Sequence, residues 1–189
     1  MINYFPYLQT MKKLILPLFL FFVSAVSAQK VIKSEKVTDH SMHIVGDDFE
    51  GIIFNDNYFQ NPKDTSETKI KRFTPSSEDI FLTESILKEH AGNKQNKGDE
   101  ECIFSNLKKY RRQYIGYFND KGEKLIYVNC FPVNEDWAIQ KAKEGNKILN
   151  IPRWYNSLFH VFDGGNRFWQ IKLNLSTKKM FDFWVNGVA

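Results

Sequence analysis

The chain has 189 residues, 42% of them hydrophobic and 15% aromatic, with a formal net charge of +4. That length supports one domain with a real core. So small a charge excess argues against a whole-protein electrostatic attraction to nucleic acid, and no nucleic-acid partner is expected.

Residues 1–28 read as a secretory signal peptide. Lys12 and Lys13 form a basic start, residues 14–23 an apolar run broken only by Pro17, and Val26 and Ala28 take the minus-three and minus-one places of a cleavage site before Gln29. Met11 is an alternative start. The apolar run is too short to span a bilayer, so no membrane span is expected after cleavage. No Cys follows the small residues to accept a lipid. The expected location is periplasmic or secreted.

Residues 29–74 are mixed and polar, an N-terminal segment with one or two strands. Residues 49–54 suggest one, residues 68–73 another, and the Asn-, Asp- and Pro-rich stretch between them a loop. Residues 75–189 read as a single α+β domain with an insertion at 132–157. Its helix begins at Pro75-Ser76-Ser77-Glu78-Asp79, where a hydroxyl can accept the first free N–H groups and acids suit the positive end of the dipole. Ile80, Leu82, Thr83, Ile86, Leu87, His90 and Ala91 form one half of the wheel, Glu84, Ser85, Lys88 and Glu89 the other, and Gly92 ends it. Residues 93–101 read as a polar linker.

Residues 110–129, Y-R-R-Q-Y-I-G-Y-F-N-D-K-G-E-K-L-I-Y-V-N, spell a hairpin whose β-rich arms flank a polar turn at 119–124. Pairing Phe118 with Leu125 puts Ile115, Tyr117, Ile126, Val128 and Cys130 on one face. Tyr114, Gly116, Phe118, Leu125, Tyr127 and Asn129 then take the other. In the insertion, Asn134 is positioned to cap a short helix over 135–144. A three-strand meander follows over 158–163, 167–175 and 180–186. With five residues in its last loop, Phe159, Trp169, Ile171, Leu173, Phe181 and Phe183 share one face, and His160, Phe162, Phe168 and Trp184 the other.

The sum is an α+β fold, one amphipathic helix packed on an antiparallel sheet of about five strands. That order is similar to cystatin-like and NTF2-like folds, a likeness of topology that implies no activity. The lysine-led leader ending Ser-Ala-Gln, the run R-R-Q-Y-I-G-Y-F-N-D-K-G-E-K, and F-D-G-G-N-R-F-W-Q-I-K with a closing V-N-G-V-A resemble small uncharacterised secreted proteins of Bacteroidota. The resemblance covers residues 75–189 and implies compartment rather than chemistry.

Candidate chemistry is thin. His40 and His43 have neither a helical context nor a third ligand, so no metal or cofactor is expected. Cys102 or Cys130 with His160 and Asp163 lists the parts of a thiol nucleophile, but alternation sends His160 and Asp163 to opposite faces. The two cysteines either join in a disulfide, which requires residues 102–109 to fold back, or remain buried thiols. Asp163-Gly164-Gly165-Asn166 precedes a strand, so it reads as a turn and not as a phosphate cradle. Lys108, Lys109, Arg111 and Arg112 interleave with Tyr110 and Tyr114, as on a solvated strand end or an anion-binding surface.

The most informative feature is aromatic: Tyr114, Phe118, Tyr127, Phe162, Phe168 and Trp184 are expected to project away from the helix. Either another segment covers that face or it binds a partner. The leading expectation is an exported, non-catalytic binding or structural module with an unknown envelope or extracellular ligand. Its site would use Tyr114, Phe118, Tyr127, Phe168 and Trp184, bordered by Trp137 and Trp154. The alternative is a small-pocket NTF2-like enzyme with His160 as general base.

Overall fold

The computed structural model describes residues 31–58, 70–92, 97–134, 139–144 and 146–187. The signal-peptide reading and Trp137 lie outside these residues. The strands are β1 (Val31–Thr38), β2 (Ser41–Gly46), β3 (Glu50–Phe54), β4 (Arg72–Phe73), β5 (Tyr110–Phe118), β6 (Lys124–Pro132), β7 (Ile139–Glu144), β8 (Lys147–Pro152), β9 (Trp169–Asn174) and β10 (Lys179–Val185). Two helices, α1 (Ser77–Ala91) and α2 (Asp99–Phe104), fall between β4 and β5. Among the described residues, no helix is long and apolar enough to cross a membrane.

Helix α1 begins where the sequence places it. The Ser76 hydroxyl accepts from Asp79 N, and the Asp79 carboxylate accepts from Ser76 N, a reciprocal cap of two otherwise free donors. Ile80, Ile86 and Leu87 are buried against the sheet, each worth about 1.5–3 kcal/mol of apolar burial. The wheel errs at Glu84, which is buried as well.

The main sheet is larger than the expected five strands. It runs β1-β2-β3-β5-β6-β9-β10, with short β4 beside β5 beyond the end of β3. All pairings in it are antiparallel except β3 with β5. It is an α+β sheet that crosses position 74 without a break, because β1–β3 of the N-terminal segment form one of its edges. β7 and β8 form a separate two-stranded ribbon.

The β5–β6 register differs from the expected one by a single residue. Phe118 faces Lys124, so Tyr114 faces Val128 and Arg112 faces Cys130. The cause is the turn. Asn119 closes onto Glu123, its side chain accepts from Lys121 N and Glu123 N, and Gly122 adopts φ +77°, leaving a loop one residue shorter than six. A one-residue slip turns every β5 side chain over relative to β6. Ile126, Val128 and Cys130 do lie under the helix, but their β5 companions are Tyr114 and Arg112, while Ile115 and Tyr117 face the other way.

Three further expectations are corrected. Residues 139–144 are strand β7 paired with β8, not helix; cross-strand pairing outweighs the helical propensity of Ala, Lys and Glu there. Part of the linker at 93–101 belongs to α2, which sends Ile103 and Phe104 into the core. Residues 158–163 are not a strand but lie over the sheet. In the last hairpin, Met180 faces Leu173 across a four-residue loop at 175–178. A bulge between Phe181 and Trp184 then resets the register.

Two apolar layers result. The helix-side layer joins α1 and α2 to Ile44, Ile53, Tyr114, Ile126, Val128, Trp169, Ile171 and Leu173. The outer layer gathers Ile52, Phe54, Ile115 and Phe131 from the sheet under Trp154, Phe159 and Phe168.

Candidate functional site

Strand alternation brings three side-chain amides into one row on the outer face: Gln113 on β5, Asn129 on β6 and Gln170 on β9. Sheet backbone already uses the local N–H and C=O groups, so these amides are free to bind something laid across the strands. Gln113 and Asn129 bind the strap formed by residues 153–163, while Gln170 Nε2 donates to Asn129 and Asn186. Gln113 Nε2 donates to Trp154 O at 2.7 Å and Ser157 O at 2.8 Å. Its Oε1 accepts from Phe159 N at 2.7 Å and Asn129 Nδ2 at 3.0 Å. Asn129 Nδ2 also donates to Phe159 O at 2.7 Å, and Asn186 Nδ2, just past β10, donates to Val161 O and Asp163 O. These bonds satisfy six backbone groups of the strap without a strand partner. The strap's Phe159 ring stacks on Phe131 and its Trp154 ring meets Phe131 edge-on, closing this part of the face.

At the far edge of the strap a second cluster clamps it. His43 on β2 stacks on Tyr155 with ring centres 5.0 Å apart, and its Nε2 lies 3.1 Å from Glu50 Oε1. Arg111 Nε donates to the other Glu50 oxygen at 2.9 Å while its guanidinium lies 4.8 Å from the Trp154 ring. The hydrogen bond from His43, helped by Arg111, holds the Glu50 carboxyl down at about 2.

The other half of the outer face is not covered by the strap. The next row is Phe181, Lys172 and Tyr127, with Tyr117 diagonal to Tyr127. Asp182, in the β10 bulge, has φ +51°, a left-handed conformation that Asp and Asn adopt more readily than most residues other than Gly. That bend brings its carboxylate 2.9 Å from Lys172 Nζ, and lets Phe183 turn inward against Phe104 and Trp169. Trp184 then returns to the outer side beside Gln170. Asn186 brackets Phe162 through the carbonyls on both sides of it, and that ring meets His160 edge-on. Trp184 is 66% exposed, Phe162 89% and Phe181 38%. Burial pushes the Tyr127 and Tyr117 phenols up to about 12, Asp182 adding to the effect at Tyr117.

Under α1 lies a buried polar group of a different kind. Glu84 Oε1 accepts from Tyr114 OH at 2.8 Å and pairs with Arg112 Nε at 2.9 Å. Arg112 also donates to Tyr110 O and Leu107 O. Burial raises the Glu84 carboxyl, with Arg112 opposing, and raises the Tyr114 hydroxyl and the Cys130 thiol. Glu84, Arg112 and Tyr114 are all fully buried, and the cluster ties α1 to β5.

Compared with protein families, curated proteins and solved structures, the chain matches none. The site therefore rests on its own geometry.

That geometry divides the expected site. Tyr114 is fully buried on the helix side, and Phe118 is half-buried at the end of β5 against Phe73. Phe168 is buried in the outer layer, and Tyr127 packs half-buried beside it. Of the five, Trp184 alone is exposed. His160 is exposed, with its ring edge-on to Phe162 at 5.0 Å and outside every ion pair found among the described residues. Cys130 is buried, Cys102 is exposed with Asn166 Nδ2 at 3.6 Å from its sulfur, and both are free thiols. Arg112, expected in a basic surface run, is buried. Gly164 and Gly165, at φ +92° and +56°, form the turn before β9 and line a shallow cleft with Asp99, Asp163, Arg167 and Asn186. The amide row escaped the sequence reading because the one-residue slip placed Gln113 on the face opposite Asn129.

Proposed function

We propose that the chain is an exported, non-catalytic binding module whose working surface is the uncovered corner of the outer face. One observation carries this reading. Two of the three exposed Phe and Trp side chains among the described residues, Phe181 and Trp184, stand on neighbouring rows of that corner, and the third, Phe162, lies on the strap between two carbonyls that Asn186 holds. Large apolar groups left in water on a rigid sheet mark a partner surface. The groups with chemical potential are dispersed instead of convergent, with Cys130 buried, His160 on the strap, and His43 and Glu50 engaged in clamping it. Export rests on Lys12, Lys13, the apolar run and Ala28. The helix laid across a mostly antiparallel sheet supports the likeness to cystatin-like and NTF2-like folds.

The test is capture from the native envelope by the purified chain and by its Phe162→Ala, Trp184→Ala double variant. The double variant is expected to melt within about 2 °C of the parent, because exposed sites contribute little to stability, and to lose the captured component. Equal capture by both proteins, or unfolding of the variant, would remove the reading.

A further inference from the structure

Resting on that reading of the corner, we propose that its ligand is a neutral carbohydrate chain, stacked on Trp184 and hydrogen-bonded by the Lys172–Asp182 pair. A sugar ring presents an apolar C–H face edged by hydroxyls that each donate and accept. The corner supplies the complement to both. Trp184 offers a flat, rigid ring that loses little entropy on contact. Beside it stand three ammonium donors on Lys172 and the acceptor oxygens of Asp182, 2.9 Å apart and exposed by 37% and 60%. The Tyr127 hydroxyl, next to Lys172 in the row, makes no hydrogen bond to the described residues and stays protonated as a further donor.

The β10 bulge makes this arrangement. It turns Phe181, Asp182 and Trp184 outward within four residues while Met180, Phe183 and Val185 pack inward. Charge decides between ligand classes. Lys172 and Asp182, the latter two residues from Trp184, neutralise each other, so the pair itself offers no net charge to an ionic partner. A lipid interior would have to desolvate that pair without replacing its hydrogen bonds, whereas hydroxyls replace them directly.

The experiment is affinity electrophoresis of the purified chain through gels carrying, one at a time, a β-glucan, an α-glucan, a mannan, a xylan or a galactan. At least one is expected to retard the chain, equally at about 0.05 M and about 0.5 M salt. Trp184→Ala should weaken that retardation about tenfold, Trp184→Phe should keep part of it, and Asp182→Asn, whose side chain tolerates the same backbone, should weaken it several-fold. Retardation by none of the gels, equal retardation of Trp184→Ala, or Trp184-dependent binding to phosphatidylcholine–phosphatidylglycerol vesicles instead overturns the proposal. If no gel retards the chain while envelope capture still depends on Trp184, only the carbohydrate assignment falls. If Trp184→Ala alters neither assay, the binding surface falls with it.

Discussion

Gln113 shows how one side chain can hold a layer of the protein. Its amide makes four hydrogen bonds within 3.0 Å, three of them to backbone groups of the strap. Gln113→Leu removes all four of these bonds and is expected to cost about 2–4 kcal/mol in urea unfolding. Gln170→Leu removes only longer bonds, at 3.3 Å, and should cost about 1 kcal/mol; equal costs would mean that the row does not hold the strap. Arg112→Met strands the Glu84 carboxylate and should cost about 3–5 kcal/mol, most of it recovered by adding Glu84→Leu. Ile126, Val128 and Cys130 were legible in the sequence as core, since alternation alone marks them. Tyr114 and Arg112 were not, because their face depends on where Asn119 closes the turn. Thiol labelling of the folded chain should modify Cys102 alone, with Cys130 reacting only after denaturation, as burial keeps it protonated and out of reach.

At the scale of elements, α1 was the most legible, because its cap and its apolar stripe agree. Ser76→Ala should cost about 1 kcal/mol by thermal melting. The hairpin was legible as a hairpin but not in register, since register is decided by backbone conformation at Gly122. Replacing Gly122 by Ala forces a Cβ into φ +77° and should cost about 1–2 kcal/mol; no loss would mean that the loop relaxes to another register. Residues 139–144 and 158–163 were misread for different reasons. The first pair with β8 just beyond them despite helical propensity, and the second take their partners from side chains on β5, β6 and Asn186, distant in sequence.

Across the whole molecule, acid stability reports the strap's clamp. The Glu50 carboxyl falls from 4.5 to about 2 in the folded chain, and Asp48, between Lys108 and Lys88, falls from 3.8 to about 2. Both contributions are fully present above the unfolded values and are lost as pH falls toward 2. Chemical denaturation should therefore show stability level down to about pH 4.5 and declining below it, with a shallower decline in Glu50→Gln; added salt should weaken the Asp48 share first, since that pair is more exposed. By itself, the sequence determined the capped helix, the aromatic strands, the α+β class and the two turns at Gly122 and Gly164–Gly165, because each follows from local periodicity or backbone chemistry. Only the tertiary structure decided that three N-terminal strands extend the sheet, that the strap's Trp154 and Phe159 lie over its outer face, and that Phe181 and Trp184 stand exposed on neighbouring rows of that face. The register follows from where the turn closes at Asn119–Glu123 and the bulge from the backbone of Asp182, whereas the amide row and the strap it holds join residues far apart in the chain.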